Sequence, residues 1–307
     1  MDRAGVLISP AELASRLGGE EQLAVIDVTV RLASPAYDGD YRAESGAGQW
    51  RAQRIPGSVH VDLLTEFVDE RAPYHFGRPR PEAVRDGLTR LGAGAGTRIV
   101  LYDDGAMHWA ARAWWMLRNV GVEARILDGG LAKWLGDGQA VERGEPQAQP
   151  VRSGAAEPLP GPAGELGLWA DKQEVREISL GLRPGSLVCA LGVGQFAGTE
   201  PTRYTRRGHI PGSLNLPARD LLGADRTLVP DRQVSELTAA ALAEAESPVV
   251  IYCGGGISAS LTALALTLNG RQDVKIYDGS LEEWTADLSL PVATGHRCPG
   301  QSATPLP

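Results

Sequence analysis

Cysteine is scarce in this chain, which has three in 307 residues. Cys189, Cys253 and Cys298 are far apart and odd in number. Their spacing excludes a CxxC metal site and argues against the disulfide framework of small secreted proteins. We therefore expect the chain to work in a reducing compartment, the cytoplasm.

Other absences narrow the class of protein further. The five histidines show neither HxxH nor HExxH spacing, so we predict no metal site. No apolar run reaches the ~20 residues that a membrane span needs, and residues 1–19 suggest a strand and a short helix rather than a signal peptide. A formal net charge of −8 argues against nucleic acid and membrane surfaces as partners.

The sequence does contain an internal repeat. Three pairs of blocks recur in the same order: "RIPGSVHVDLL" (54–64) with "HIPGSLNLPARDLL" (209–222), "RIVLYDD" (98–104) with "VVIYCGG" (249–255), and "ARILDGGLAKWL" (124–135) with "VKIYDGSLEEWT" (274–285). The last two pairs keep an offset of 150 residues. Duplication of one unit explains this order most simply, and we assign the shared IPGS and DGG/DGS blocks to turn formation.

Each copy alternates short apolar runs with helical patterns, which is typical of buried parallel strands covered by helices. We predict an α/β fold with two tandem domains, each a mainly parallel sheet with helices on both faces. The predicted boundaries are 1–145 for the first domain, 146–168 for a Pro/Gly/Ala-rich linker, 169–294 for the second domain and 295–307 for a tail.

The two copies differ where a strand leads into a helix. The first has Asp103 where the second has Cys253, followed by Gly254, Gly255, Gly256, Ile257 and Ser258. Glycines let several N–H groups converge on one point, and a helix predicted to start near Ser258 adds positive partial charge. Both effects lower a thiol pKa from ~8.5. We therefore predict that Cys253 is a nucleophile in a collar of loop amides, while the alternative is an inert core cysteine beside a turn, our interpretation of Cys189.

A cysteine, a five-residue loop and a helix occur in two chemistries. A phosphatase needs an arginine directly after the loop to bind phosphate, and here that position is Ala259. Sulfur transfer needs only a thiolate and a cradle for the charged outer sulfur of a persulfide. The loop therefore favours sulfur transfer.

With these motifs, the chain resembles the two-domain rhodaneses, the thiosulfate and 3-mercaptopyruvate sulfurtransferases. The resemblance is carried by "ARAWWML" (111–117), "LDGGLAKW" (127–134), "GTEP" (198–201), "HIPGSLNLP" (209–217) and "YCGGGISA" (252–259). It implies two rhodanese-like domains, the first catalytically inactive, and a Cys253 persulfide. It also implies cofactor-free transfer from thiosulfate or mercaptopyruvate to cyanide, a small thiol or a protein thiol.

The resemblance also indicates how the donor binds. The neutral loop is similar to that of mercaptopyruvate-preferring members, but Gly255 replaces a serine and Gln195 replaces an arginine. Arg203 is the residue expected to orient the donor with Gln195, and Arg206 and Arg207 are alternatives.

His75 either faces the active loop, as in the family, or lies in a surface loop. Two other functions remain open: a thiosulfate:cyanide sulfurtransferase, and a persulfide carrier loaded by a partner protein.

Overall fold

Two parallel sheets organise the molecule, which is described by a computed structural model over residues 1–19, 21–145, 164–243 and 245–295. The strands of the first half are β1 (Leu7–Ile8), β2 (Leu23–Asp27), β3 (Val30–Leu32), β4 (Ala43–Ser45), β5 (Val59–His60), β6 (Arg98–Tyr102) and β7 (Arg125–Leu127). Its helices are α1 (Arg3–Val6), α2 (Pro10–Arg16), α3 (Ala47–Ala52), α4 (Pro81–Arg90), α5 (His108–Asn119) and α6 (Gly130–Gly136).

The second half repeats this pattern. Its strands are β8 (Trp169–Ala170), β9 (Ser186–Cys189), β10 (Leu214–Asn215), β11 (Val249–Tyr252) and β12 (Val274–Tyr277). Its helices are α7 (Lys172–Ser179), α8 (Val193–Ala197), a short 3-10 helix (Ala218–Leu221), α9 (Asp231–Ala241), α10 (Ile257–Leu268) and α11 (Ser280–Ala286).

The strand orders confirm the predicted duplication. The first sheet runs β1-β7-β6-β2-β5 and the second runs β8-β12-β11-β9-β10, with all neighbours parallel. Each strand of one sheet thus has its counterpart at the same place in the other. A separate antiparallel pair, β3 and β4, belongs to the first half alone.

Successive side chains of each strand point to opposite faces of the sheet, and helices cover both faces, as predicted. Ile99 and Leu101 belong to the core that contains α5, whereas Val100 and Tyr102 pack in the core that contains Trp134 of α6. The strands of the second sheet alternate in the same way. The α5 core continues into α10, so these two helices pack against each other between the sheets.

The halves are joined by a reciprocal contact. Asp278 Oδ2 accepts a hydrogen bond from the Arg78 N–H at 2.7 Å, and Asp128 Oδ1 accepts one from the Leu228 N–H at 2.8 Å. Both carboxylates and both amides are separated by 150 residues. The segment before α4 is therefore held against the second half, next to the turn that leads into α11.

Some predicted boundaries differ from the structure. The predicted N-terminal strand is preceded by the single turn α1, because the Asp2 side chain accepts a hydrogen bond from the Ala4 N–H and caps it. Most of the predicted linker (146–163), Cys298 and residues 296–307 of the predicted tail lie outside the described residues. None of the described helices is long and apolar enough to cross a bilayer.

Candidate active site

Cys253 lies at the carboxyl end of β11, the central strand of the second sheet. This edge of a parallel sheet is where α/β proteins place their sites. Three glycines connect it to α10, which begins at Ile257, one residue before the predicted start at Ser258. Gly256 has φ 77°, a left-handed conformation that glycine adopts without steric cost.

The cysteine is less accessible than a nucleophile in an open loop. Cys253 is 2% exposed, and Tyr204 packs against the adjacent Gly254. Burial raises the pKa of Tyr204 well above its usual range, and the charge of Cys253 adds to the increase. The phenol therefore covers the residue that follows Cys253.

Ser280 fixes the loop from the turn before α11. Its hydroxyl accepts hydrogen bonds from the Cys253 and Gly256 N–H groups, both at 3.1 Å, and donates to the Tyr277 carbonyl. The prediction that all amides from Gly254 to Ser258 surround the sulfur is therefore wrong for Gly256, because the Ser280 hydroxyl takes its N–H.

The corresponding loop of the first half already holds an anion. The buried carboxylate of Asp103 accepts hydrogen bonds of 2.9–3.2 Å from the N–H groups of Gly105, Met107, Trp109 and Ala110. Burial nevertheless raises its pKa, which these bonds oppose. A strand end followed by a helix start thus binds a negative group through backbone amides alone.

The two loops can be aligned at the residue that directly precedes each helix. Met107 and Gly256 both have positive φ and directly precede α5 and α10. Counted from them, Trp109 and Ala110 correspond to Ser258 and Ala259. The comparison supports Ser258 as part of the amide collar and adds Ala259, which sequence reasoning did not include.

His75 comes from the first half and meets the second half beside the active loop. Its Nδ1 is paired with Oε1 of Glu282, and its ring stacks on Tyr41 with centroids 4.0 Å apart. Glu282 is in turn tied to the loop, because its N–H donates to the Gly254 carbonyl at 2.9 Å. His75 thus lies next to Glu282 beside the loop, with a side chain that is 55% exposed.

The three candidate arginines have different partners. Arg203 donates to the carbonyls of Leu32 and Ala33 at the end of β3. Arg206 donates to carbonyls that follow or end α11, and Arg207 pairs with Asp38. The positive charge of Arg203 acts on both Tyr41 and Tyr204, opposing the rise in their pKa values.

Gln195 lies on α8, which follows β9, the neighbour of β11. It is half-buried at the same carboxyl edge of the sheet as Cys253. Arg203 and Gln195 therefore remain predictions for donor binding, with Arg203 nearer to the walls of the site than the other two arginines.

Sequence reasoning missed Ser280, Glu282, Tyr204 and Tyr41. A signal existed for the first two, since Gly130 and Ala132 occupy the equivalent places of the first copy. We assigned the DGG/DGS block to turn formation alone, but the Ser280 hydroxyl also accepts a hydrogen bond from the Cys253 N–H. No sequence pattern indicates Tyr204 and Tyr41, because only tertiary packing brings them near the loop.

Comparison with known proteins places this geometry in a family. The Rhodanese-like domain model matches residues 9–137 and 198–287. The 3-mercaptopyruvate sulfurtransferase of Escherichia coli is 30% identical over 281 residues, covering 89% of this chain and 92% of that protein. A putative thiosulfate sulfurtransferase, SseB of Mycobacterium tuberculosis, is 30% identical over 298 residues, covering 95% and 98%.

Solved structures agree. The crystal structure of SseA from Escherichia coli, described as having the rhodanese fold of 3-mercaptopyruvate sulfotransferases, superposes with a TM-score of 0.72 at 27% identity, covering 89% of this chain and 98% of that one. With two family matches along one chain and a duplicated fold, the chain belongs to the rhodanese family and is a sulfurtransferase.

Proposed function

We propose that this chain transfers sulfane sulfur from 3-mercaptopyruvate to a thiol acceptor through a persulfide on Cys253, in the cytoplasm. The observation that carries the proposal is the amide cradle around Asp103 in the equivalent loop. In aspartate, two bonds separate Cβ from the charged oxygen. In a cysteine persulfide, two bonds separate Cβ from the charged outer sulfur, so the same loop design suits both anions.

The transfer is balanced without a cofactor. The Cys253 thiolate attacks the sulfur of mercaptopyruvate, the C–S bond breaks, and its electron pair goes to the carbon, which takes the proton of the donor thiol to give pyruvate. An acceptor thiolate then attacks the outer sulfur, the S–S bond breaks, and its electron pair returns to the Sγ atom of Cys253. The amides of Gly254, Gly255, Ile257 and Ser258 stabilise the persulfide between the two steps.

The charge of the site favours mercaptopyruvate over thiosulfate. The loop carries no basic residue, and the Glu282 carboxylate lies beside it. A second negative charge on the donor is repelled at this distance. Gln195 and Arg203 orient the carboxylate of the single-charged donor, and His75 closes the wall opposite.

The first half contributes walls rather than chemistry in this proposal. Asp103 offers no thiol, and its carboxylate fills the amide cradle. The segment with His75 reaches the second loop because Arg78 is held by Asp278. The duplication thus leaves one catalytic loop and one supporting unit.

A persulfide carrier that a partner protein loads is the second candidate. It is favoured by the 2% exposure of Cys253, which limits direct access of a free donor. A carrier acquires sulfur on Cys253 only when the loading protein is present, whereas an enzyme acquires it from the donor alone.

Steady-state kinetics with both donors tests the proposal. We expect kcat/KM for mercaptopyruvate with a thiol acceptor to exceed that for thiosulfate with cyanide, and Cys253→Ser to abolish both activities. Cys189→Ser is the matched control, because burial raises the pKa of Cys189 to about 12 and keeps it a core thiol. Unchanged sulfur release by Cys253→Ser contradicts the proposal.

A further inference from the structure

One oxygen of the Glu282 carboxylate lies beside the catalytic loop without a hydrogen-bond donor. Oε1 is paired with His75, whereas Oε2 is buried and has no partner among the described residues. Oε2 lies 3.6 Å from the position that a Cβ on Gly255 would take, and apart from the adjoining residues no other described heavy atom is within 4 Å of that position. The carboxylate therefore lies next to Gly255 of the loop.

The surroundings of Glu282 are largely aromatic. Tyr41 stacks on His75, and Tyr204 packs against Gly254. Burial raises the pKa of each tyrosine, and the charges of Glu282 and Cys253 add to the increase. The Glu282 carboxylate and the Cys253 sulfur thus act on the same two tyrosines.

Two guanidinium groups lie near the loop, and both are bonded to the protein. Arg112 lies against Gly256, where its Nη2 pairs with Asp278 and donates to the Phe76 carbonyl. Arg203 directs its Nε and Nη2 donors to the carbonyls of Leu32 and Ala33. Its Nε and Nη2 groups are engaged in this way, while its positive charge still acts on the carboxylate of the donor. Glu282 Oε2 beside Gly255 lacks a hydrogen-bond partner, whereas the other such atoms beside the loop, Arg112 Nη1 and Asp278 Oδ1 at Gly256, belong to side chains that form an ion pair with each other.

A poorly hydrated carboxylate favours cations and disfavours anions, and aromatic faces add to the attraction for cations. We propose that Glu282 is a specificity-determining residue that selects sulfur acceptors by charge, favouring thiols with a protonated nitrogen over neutral and anionic thiols. This proposal rests on the Cys253 persulfide proposed above. The protonated nitrogen is not consumed, since the transfer breaks only the S–S bond of the persulfide.

Three small thiols of similar size test the charge dependence: 2-aminoethanethiol, 2-mercaptoethanol and mercaptoacetate. The enzyme is loaded with sulfur, freed of donor and mixed with each thiol in a single turnover. Because the thiols differ in intrinsic reactivity, the useful quantity is the rate constant of Glu282→Gln divided by that of the unchanged protein for each thiol. We expect this ratio to fall about tenfold for 2-aminoethanethiol, the effect of losing one charged hydrogen bond, to stay near one for 2-mercaptoethanol, and to rise for mercaptoacetate.

Glu283→Gln is the matched control. It removes the same charge from the same helix, but Glu283 Oε2 accepts a hydrogen bond from the Tyr277 hydroxyl at 2.8 Å rather than lacking a partner beside the loop. The rate constant of Glu283→Gln divided by that of the unchanged protein should be equal for all three thiols. An equal ratio for all three thiols in Glu282→Gln overturns the proposal, whereas failure of sulfur to load onto Cys253 contradicts the proposed function instead.

The unchanged protein gives a second readout if Glu282→Gln does not fold or load. Salt screens charge interactions beyond about 10 Å at 0.1 M and more closely at higher concentration. Rising salt should slow transfer to 2-aminoethanethiol and speed transfer to mercaptoacetate. The opposite trends, or no trend, overturn the proposal.

Discussion

The phenol of Tyr204 lies directly against Gly254, the residue that follows Cys253. A Cβ added at Gly254 would lie 2.5 Å from Cζ of Tyr204 and still closer to its oxygen. Real Cβ atoms do not approach other heavy atoms this closely, so Gly254 and Tyr204 depend on each other. By contrast, the space beside Gly255 is open apart from Glu282.

This contrast gives a matched pair of variants. Gly254→Ala should lower kcat at least tenfold, because Tyr204 or the loop must move and misplace Cys253. Gly255→Ala should keep most of the activity, because its Cβ meets only Glu282 Oε2 at 3.6 Å, an ordinary contact. Steady-state kinetics on both variants checks this, and equal losses in the two contradict the packing of Tyr204.

Ser280 gives a prediction that separates strain from hydrogen bonding. Its φ of 50° strains any residue with a Cβ, while its hydroxyl satisfies two buried amides. Ser280→Ala keeps the strain and loses the hydroxyl, whereas Ser280→Gly loses both. We expect both variants to slow turnover, with Ser280→Ala less stable than Ser280→Gly by about 1 kcal/mol. Urea unfolding measures the difference, and a more stable alanine variant would contradict it.

Substitution by lysine should affect different properties at Arg203 and at Arg206. Arg203→Lys should raise KM for mercaptopyruvate about fivefold with little change in kcat, because lysine keeps the charge but loses the guanidinium fork that binds a carboxylate, a loss of ~1 kcal/mol. Arg206→Lys should lower the free energy of unfolding with KM unchanged, because its donors bind carbonyls in the segment that follows α11. An unchanged KM in Arg203→Lys assigns this arginine to the contact with β3 alone.

We expect stability to depend on pH through Asp104, the residue next to the amide-bound Asp103. Burial raises its pKa from 3.8 to about 6, and the charges of Asp103 and Asp27 add to this. The folded state holds the Asp104 proton more tightly than the unfolded state. Protonated Asp104 therefore stabilises the fold below pH ~4, and this stabilisation is lost as the pH rises through 6.

Asp104→Asn should therefore stabilise the protein at pH 7.5 by about 1–2 kcal/mol, after discounting a two-unit shift for solvent exposure. It should change stability little at pH ~4. Asp103→Asn is the contrasting variant, because its amide nitrogen cannot accept the N–H bonds that the carboxylate accepts, and it should be destabilising. Urea unfolding at the two pH values measures both effects, and no gain from Asp104→Asn at pH 7.5 contradicts the assigned burial.

Much of the fold followed from the sequence, because its signals are local and repeated. The apolar runs before Cys253 and Asp103, and the blocks around Asp128 and Asp278, gave the strands, the duplication and the second loop as the candidate site. The start of α10 was displaced by one residue, because Gly256 rather than Ile257 takes the left-handed conformation.

The walls of the site did not follow from the sequence. Tyr204, Tyr41 and Glu282 reach the loop through the packing of the halves, which no periodic pattern records. His75 had two open interpretations, and its contact with Glu282 favours the one in which it faces the loop. The Gly256 amide was assigned to the sulfur because the Ser280 hydroxyl 24 residues later was read only as part of a turn.

The most direct measurement is mass spectrometry of the Cys253 peptide after the protein is incubated with 3-mercaptopyruvate and no acceptor. A Cys253 persulfide predicts an adduct of one sulfur atom on that peptide, which disappears when a thiol is added. Sulfur release without an adduct on this peptide, or an adduct confined to the peptides of Cys189 or Cys298, would contradict it.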